Sequence, residues 1–490
     1  MIKRLLAICG TICIALCVCA CSDVAVPVPE VDSQVPEQYS NTPQTSEPQK
    51  VVDEQLSSWW EVFSDGELNS LLDDVLTRNL DISIAYASLD KLIASEKESS
   101  SSLWPTLGLD GSVFRNRRNT RSFNLDSEST VSAITSTNYR VSAPVSYELD
   151  IWGRLRNSAT AAQRDRLASE QDLFSVTMSI AAETVESYFL IRELCEQTIL
   201  LDRTISAEEK MYDIIKKRYL DGIAKPLDVH QARQTVATRK SRLPKMKLEL
   251  SKAQHTLSVL LGEYPKSRFE CNKMSNLPDE IPKVPPGLPA DLLMRRPDLR
   301  AAMFRLEAAD QRVAAAVKRL LPSFIIGASI GYEDLELSNL FKPETFVWNL
   351  VGSITENVFD GGARSAQIDF ARAEEALLRA EYLKAVLSAF KEVEDALVAE
   401  VELRDNMKLL LSRIASIRRT LRLSMSQYLQ GLEDYLQVVT AQGSYYAAQS
   451  ELLALRREII SNQVQLSRAL GGGWDNEQVI ERFKNHGDVY

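Results

Sequence analysis

Hydrophobic and polar residues alternate with a period of two in four segments, at about 106–118, 138–150, 323–333 and 346–357. Successive side chains of a strand point to opposite faces, so this period predicts four strands, each with one apolar face. The apolar positions are Leu107, Leu109, Val113, Tyr139, Val141, Ala143, Val145, Tyr147, Leu149, Phe324, Ile326, Ala328, Ile330, Tyr332, Trp348, Leu350 and Ile354. Strands of about ten residues suit a membrane barrel, and they equally suit half-buried hairpins of a soluble sheet.

Heptad spacing of apolar residues predicts long helices after each strand pair. Residues 157–218 contain no proline or glycine, and a helix of that length extends roughly 90 Å. The returning segments repeat one apolar face, at Val229, Val236, Leu243, Leu250 and Leu257, and again at Val438, Tyr445, Leu452, Ile459 and Leu466. This pattern is typical of antiparallel coiled-coil hairpins. A shorter helix over about 67–101 is expected to stop before Pro105, because proline disfavours helical geometry in the preceding residue.

The same unit is present twice along the chain. Asp81–Pro105 matches Asp298–Pro322 at an offset of 217 residues, and Tyr219–Gly222 matches Tyr428–Gly431 at an offset of 209. Order and spacing that agree at stable offsets indicate a tandem duplication. The predicted segments are the first repeat at 57–265, a proline-rich link at 266–287, the second repeat at 288–474 and a C-terminal tail at 475–490.

The N-terminus has the pattern of a targeting signal. Lys3 and Arg4 precede a largely apolar run of 16 residues, Leu5–Ala20, which is short for a spanning helix and suits a signal peptide at 1–20. Val18–Ser22 is similar to a bacterial lipobox, which implies that Cys21 is lipidated and anchors a linker at 21–56. A plain secretory signal is the alternative. Ser22 at the second position favours the outer membrane by resemblance to known lipoproteins.

The rest of the chain is predicted to contain no transmembrane helix, because no apolar run after residue 21 approaches 18 residues. A bilayer crossing would then require a β-barrel. Four strands cannot close one, since the smallest membrane barrels have about eight. Two chains would give about eight strands and a filled interior, and three would give about twelve and begin to leave a lumen. The interpretation favours three chains, with the helices forming a tube.

Composition and charge exclude several functional classes. With 45% hydrophobic and 25% charged residues, the chain is neither disordered nor a multi-span helical membrane protein. A formal net charge of −10 argues against a nucleic-acid partner, and three scattered histidines suggest no metal centre. No nucleophile–base pattern or phosphate loop is evident, so the expectation is a non-enzyme without cofactors. Cys195 and Cys271 could pair in an oxidising compartment, but two unpaired cysteines are the favoured interpretation.

Several motifs together resemble the TolC-like outer-membrane efflux factors, closest to their lipoprotein branch of the NodT and OprM type. These motifs are Trp59-Trp60, Phe63–Asp65, Tyr147–Arg154, Gly287–Asp298, Leu321–Ser323, Phe359–Gly362, Phe390–Ala396 and Ala469–Trp474. The resemblance covers nearly the whole chain after the signal peptide. It implies a homotrimer with a shared 12-stranded outer-membrane barrel and a periplasmic α-barrel. It also implies a periplasmic adaptor (membrane fusion) protein and an inner-membrane pump of the resistance-nodulation-division class as partners.

The hairpin turns are the predicted functional site. Gly222 and Gly431 suit the left-handed position that ends a helix, and with Tyr219 and Tyr428 they are expected to lie at the periplasmic tip that meets the adaptor. The family often carries an acidic constriction ring, but the matching positions here hold Gln437 and Thr440. Glu433 and Asp434 are candidate substitutes, and Leu436 is a candidate apolar ring. The alternative is that these are ordinary turn and coiled-coil residues.

The function implied is an exit duct that passively conducts drugs or other small molecules across the outer membrane. A type I secretion duct for proteins and a structural coiled-coil lipoprotein remain alternatives. The structural alternative accounts for the lipid and the heptads, but it leaves the paired amphipathic strands and the duplication unexplained.

Overall fold

The computed structural model describes residues 59–119, 133–272, 274, 276–278 and 295–472. The predicted signal peptide, the Cys21 lipid site, the linker and the tail lie outside these residues. The helices are α1 (Gly66–Arg78), α2 (Leu80–Ser101), α3 (Arg154–Leu220), α4 (Pro226–Leu260), α5 (Pro297–Lys318), α6 (Ala363–Leu429) and α7 (Tyr435–Ala469). The strands are β1 (Thr106–Leu107), β2 (Asp110–Asn119), β3 (Ala133–Leu149), β4 (Ser323–Asp334) and β5 (Phe346–Thr355).

The mainly helical class and the doubled unit are confirmed by the order of these elements. Each repeat has a helix, a strand pair and then a long helical hairpin, and α3 and α6 both contain 67 residues. The returning helices α4 and α7 both contain 35 residues. Among the residues that the structure describes, no helix combines the length and the apolar character that a membrane span needs.

The single helix expected over 67–101 is wrong, because the chain breaks at Asn79 between α1 and α2. Asn79 has an extended backbone with ψ of 132°. Its side-chain Oδ1 accepts the backbone N–H groups of Asp81 and Ile82 at 2.9 and 3.1 Å, and its Nδ2 donates to the Leu260 carbonyl at 2.8 Å. The buried asparagine thus caps the start of α2 while it attaches the break to the end of α4.

All five strands form one antiparallel sheet with the order β1/β2, β3, β4, β5. β1 and β2 pair with β3 in one continuous register, as Leu107 opposite Val145 and Asp110 opposite Ser142 show, so they act as a single interrupted strand. The cross-strand register confirms the predicted faces. One face combines the alternating apolar positions of all strands, for example Val141 opposite Tyr332 and Ile330 opposite Trp348.

Glycine is required on β4 opposite Ser142. Gly331 lies opposite Ser142, and a Cβ added to Gly331 would lie 2.8 Å from the Ser142 Cβ. Ser142 is consequently 6% exposed, although it belongs to the polar face of the sheet. Ser146, two pleats along the same face, lies opposite Gly327 and is exposed.

The described chain divides into two compact units. One contains 90–167 and 303–381, and therefore all the strands. The other contains the described residues up to 89, together with 168–302 and 382–472, and therefore both hairpin turns. Within the second unit, Leu201, Ile205 and Tyr446 form one of the buried clusters between helices.

Cys195 and Cys271 form a disulfide, so the expectation of two unpaired cysteines is wrong. Their Cα atoms are 5.0 Å apart across a sequence separation of 76 residues. The link folds back onto the helices: the Gln254 side chain exchanges two hydrogen bonds with the Phe269 backbone, and Glu196 accepts the N–H of Leu277. These contacts bring Cys271 to Cys195, which is only 2% exposed on α3.

Candidate functional site at the hairpin turns

The two hairpin turns have the same backbone geometry. Gly222 and Gly431 both have φ of +76°, as predicted for the residue that ends a helix. In the first turn the N–H of Ile223 donates to the Arg218 carbonyl at 2.8 Å. In the second the N–H of Leu432 donates to the Gln427 carbonyl at 2.9 Å. These are Schellman turns. A Cβ at either glycine would meet no atom within 4 Å, so there is no crowding at these positions. Glycine is favoured here because of the positive φ.

An ion pair joins one turn to the other. Lys225 Nζ lies 2.6 Å from Asp434 Oδ1, and both side chains are exposed. The hydrogen bond to Asp434 and the charge of Asp434 raise the pKa of Lys225, so Lys225 is positively charged at neutral pH. The two residues occupy equivalent positions of the two repeats, at the offset of 209 residues. An exposed pair contributes little stability by itself, and it can therefore break and reform readily.

A buried contact lies next to this ion pair. The Tyr428 hydroxyl donates to Asp228 Oδ2 at 3.3 Å, and both residues are nearly inaccessible, at 5% and 6% exposure. The Tyr428 ring packs against Tyr435 with centroids 5.3 Å apart, and the Arg218 guanidinium lies 5.8 Å from its centroid. Burial and the nearby Asp228 carboxylate raise the pKa of Tyr428 to about 12. The hydroxyl therefore stays protonated, as a donor must.

Tyr428 is part of a hydrophobic cluster that holds the two hairpins together. The cluster contains Met211, Ile215, Ala232, Tyr428, Tyr435 and Val438. Tyr428 faces this cluster in the described chain and is 5% exposed, and its place on an adaptor-docking surface stays a prediction. Tyr219, the equivalent residue of the first turn, is 42% exposed and remains available to a partner.

A groove lies between α4 and α7 and begins next to the second turn, where Leu436 lines it. It has a volume of about 450 Å³ and is lined by residues that include Gln231, Thr235, Arg239, Val439, Gly443 and Tyr446. The Arg239 guanidinium lies 4.4 Å from the Tyr446 ring centroid and forms a buried ion pair with Glu208 at 3.1 Å. Burial raises the pKa of Glu208, and the charge of Arg239 opposes this rise.

The five predicted constriction residues are all exposed on the described chain. They are Glu433, Asp434, Leu436, Gln437 and Thr440. The neighbouring Tyr435 and Val438 point into the cluster, at 2% and 0% exposure. Helical spacing therefore turns Leu436 and Thr440 outward together, and the Thr440 hydroxyl donates to the Leu436 carbonyl at 2.9 Å. Asp434 already forms an ion pair with Lys225.

Sequence reasoning missed four members of this site: Asp228, Lys225, Glu208 and Arg239. A signal was present for the first two. At the offset of 209 residues, Lys225 aligns with an acid, Asp434, and Asp228 aligns with an amide, Gln437. Opposite or complementary side chains at equivalent turn positions are candidates for a contact between the turns. Glu208 and Arg239 had no such signal.

Comparisons with known proteins agree with one another. A sequence model of the family described as "Outer membrane efflux protein" matches residues 71–263 and 288–472. The cation efflux system protein CusC of Escherichia coli (strain K12) is 28% identical over 461 residues, covering 94% of this chain and 98% of CusC. The solvent efflux pump outer membrane protein SrpC of Pseudomonas putida is 30% identical over 421 residues, covering 85% and 88%.

A solved structure gives the same result. The open state of the Neisseria gonorrhoeae MtrE outer membrane channel is 27% identical to this chain. The match has a TM-score of 0.76 and covers 90% of this chain and 96% of MtrE. The sequence and structural matches both extend over nearly the full length of the proteins compared.

Proposed function

The chain belongs to the outer membrane efflux protein family and is an outer-membrane exit duct; we propose that it acts as a homotrimer that is closed at its hairpin turns until partner proteins bind. The contact set between the two turns carries this proposal. It combines an exposed ion pair, Lys225 with Asp434, and a buried hydrogen bond, Tyr428 to Asp228. We call these two contacts the turn latch.

The sheet supports the trimeric state. Among the described residues, β2 pairs only with β3, and β5 pairs only with β4. Both outer strands thus present an open backbone edge, which a membrane cannot accommodate. Closure by copies of the same chain satisfies both edges. Three copies give twelve strands and an open lumen, whereas two would give a filled barrel.

The turn latch supports a closed resting state. The second hairpin, α6 and α7, is joined to the first, α3 and α4, by contacts that one chain makes with itself. A duct opens when the population of the unlatched arrangement rises, and a partner achieves this by binding that arrangement more tightly. The exposed Tyr219 and the groove along Arg239 offer surfaces to a periplasmic adaptor, which in turn contacts an inner-membrane resistance-nodulation-division pump.

The cargo is proposed to be a class of small molecules. CusC is named for cation efflux and SrpC for solvent efflux. Members of one family are thus named for very different cargo, which favours selection of the cargo at the pump and not at the exit.

The test uses the detergent-purified protein. Native mass spectrometry is expected to report three copies, and planar bilayers to report low conductance. Replacing Asp434→Ala together with Leu436→Ser should raise conductance, and in cells it should raise uptake of the large antibiotic vancomycin, with normal trimer yield. Val438 in the buried cluster stays untouched. If this variant shows wild-type conductance and uptake, the constriction lies at Gln437 or Thr440 and not at Asp434 and Leu436. A monomer without conductance would refute the trimeric duct.

A further inference from the structure

Aromatic side chains border the apolar face of the sheet at both ends. Tyr147 and Phe324 lie at the end where β3 leads into α3, and Trp152 packs near Phe324 with centroids 6.3 Å apart. Tyr139 and Tyr332 lie at the other end, where Tyr332 contacts Phe346 at 5.8 Å. Such aromatic girdles mark the two membrane–water interfaces of a barrel.

The separation of the two girdles fits a bilayer. Tyr139 and Tyr147 are eight residues apart on β3, which is about 27 Å along a strand. A tilt of about 40° projects this onto about 21 Å, close to the roughly 25 Å apolar band of membrane barrels. β3 leads into α3 at the Tyr147 end, and the proposed function assigns the helices to the periplasm, which assigns the Tyr139 end to the outer leaflet.

Two arginines lie just beyond the outer girdle, on the side of the sheet that faces lipid. On β2, Val113 lies opposite Tyr139, Arg115 opposite Thr137, and Arg117 opposite Thr135. Alternation places both arginines on the same face as Val113, about 7 and 14 Å further along the strand. Both side chains are exposed. This height is that of the lipid headgroups and not of the acyl chains.

The charges around the two arginines favour an anion. No described residue forms an ion pair with either one, and their neighbours on this face, Thr135 and Thr137, are uncharged. The acid on the same face is Asp334, opposite Tyr139 on β4, so the whole of β3 separates it from β2, by about 9.6 Å. By contrast, Arg140 on the opposite face has a partner within the sheet, Glu333, at 4.0 Å.

We propose that Arg115 and Arg117 bind the phosphate groups of a phosphorylated glycolipid in the outer leaflet, an inference that rests on the placement of the sheet in the outer membrane. A guanidinium binds phosphate oxygens with two parallel hydrogen bonds, and arginine is preferred over lysine for this geometry. Adjacent pleats present the two groups about 7 Å apart, which allows them to bind two phosphates of one headgroup or of neighbouring lipids.

Native mass spectrometry of the full-length, detergent-purified protein tests this proposal. Three probes are titrated: bis-phosphorylated lipid A, dephosphorylated lipid A and inorganic phosphate. The wild-type protein is expected to retain only the first. Changing Arg115→Ser or Arg117→Ser should weaken apparent affinity about 5-fold each, and the double change about 30-fold, as expected for interfacial cationic side chains. Arg115→Lys with Arg117→Lys should weaken binding less than the double serine change, because lysine keeps the charge and loses the two parallel hydrogen bonds.

The matched control is Arg118→Ser. Arg118 is the next residue on β2, lies opposite Ile134 on the other face, and is also exposed. Its loss should leave lipid A binding unchanged. Equal weakening by Arg118→Ser would reveal non-specific attraction and overturn the proposal, as would full binding by the double serine variant or equal retention of dephosphorylated lipid A. Retention of inorganic phosphate in place of the lipid would also overturn it. Trimer yield and conductance report separately on the duct.

Discussion

The turn latch makes a sharp prediction for Tyr428→Phe. This change removes one hydroxyl group and leaves a ring of the same shape packed 5.3 Å from the Tyr435 ring. The Asp228 carboxylate, which is 6% exposed, loses the donor that lies 3.3 Å from its Oδ2. We therefore expect the closed state to be destabilised while the hydrophobic cluster, and with it the fold of the hairpins, is retained.

The size of the effect follows from the geometry. A hydrogen bond to a charged group contributes about 1.5–3 kcal/mol. The distance of 3.3 Å between the Tyr428 hydroxyl and Asp228 exceeds the usual range for such bonds, so the lower value applies. A loss of about 1.5 kcal/mol per chain raises the ratio of open to closed turns about 10-fold. If three chains open together, about 4.5 kcal/mol is lost and the ratio rises on the order of 1000-fold.

The assay is open probability in planar bilayers, supported by vancomycin sensitivity of cells. Tyr219→Phe is the matched control, because it makes the same change at the equivalent position of the first repeat, where the side chain is 42% exposed. It should behave as wild type. If Tyr428→Phe also matches wild type, with normal trimer yield, the hydrogen bond to Asp228 does not hold the turns closed and the reasoning fails.

The raised pKa of Tyr428 adds a pH dependence to the same prediction. Burial, followed by the charge of Asp228, raises this pKa to about 12 from an ordinary value of about 10. A group whose pKa is raised by folding contributes its full stabilisation below the unfolded pKa and loses it as the pH rises through the folded pKa. The latch should therefore weaken between about pH 10 and pH 12 in the wild type. Absorbance at 295 nm should show one fewer phenol titrating near pH 12 in Tyr428→Phe.

Three further predictions follow from other parts of the structure. Val145→Arg places a charge on the apolar face, which should destabilise the assembled protein by about 2–4 kcal/mol and deplete the trimer band on gels. Ser146→Arg, on the exposed polar face, should be tolerated. The reverse order would mean that the faces are exchanged. Cys195→Ser with Cys271→Ser removes the disulfide that joins residues 76 positions apart, and it should lower the free energy of unfolding by about 2–4 kcal/mol in a denaturant titration. An unchanged midpoint would show that the disulfide does not constrain the chain. Lys225→Asp should raise conductance by opposing Asp434, and adding Asp434→Lys should restore the wild-type value; no rescue would refute the ion pair.

Much of the fold could be predicted because the two repeats carry the same hydrophobic periodicity. Both strand pairs alternate with period two, and both returning helices carry the same heptad face, so each copy supports the interpretation of the other. The break at Asn79 had no such support. Asparagine occurs within helices, and what fixes the break here is a contact with Leu260, 181 residues away. The disulfide was not predicted because it is also a contact between distant residues, and Cys271 lies in a link without any periodic pattern.

The candidate site was predicted in position but not in chemistry. Positive φ at Gly222 and Gly431 followed from the turn sequences alone. The sequence could not show whether Tyr428 faces a partner or the interior, because Tyr219 occupies the equivalent position of the first repeat and is exposed. The difference arises from Asp228, whose carboxylate accepts the Tyr428 hydroxyl across 200 residues of sequence.

Divergence between the repeats is what allows the latch to exist. Two identical hairpins would place like charges at the positions of Lys225 and Asp434, and these would repel each other. They would also place either two acids or two amides at the positions of Asp228 and Gln437, so that each tyrosine would face the same environment. In this chain only the second tyrosine, Tyr428, is buried and bonded. The asymmetry makes each latch a contact within one chain, so a trimer would carry three, and a partner that displaces one hairpin would break both contacts of that latch together.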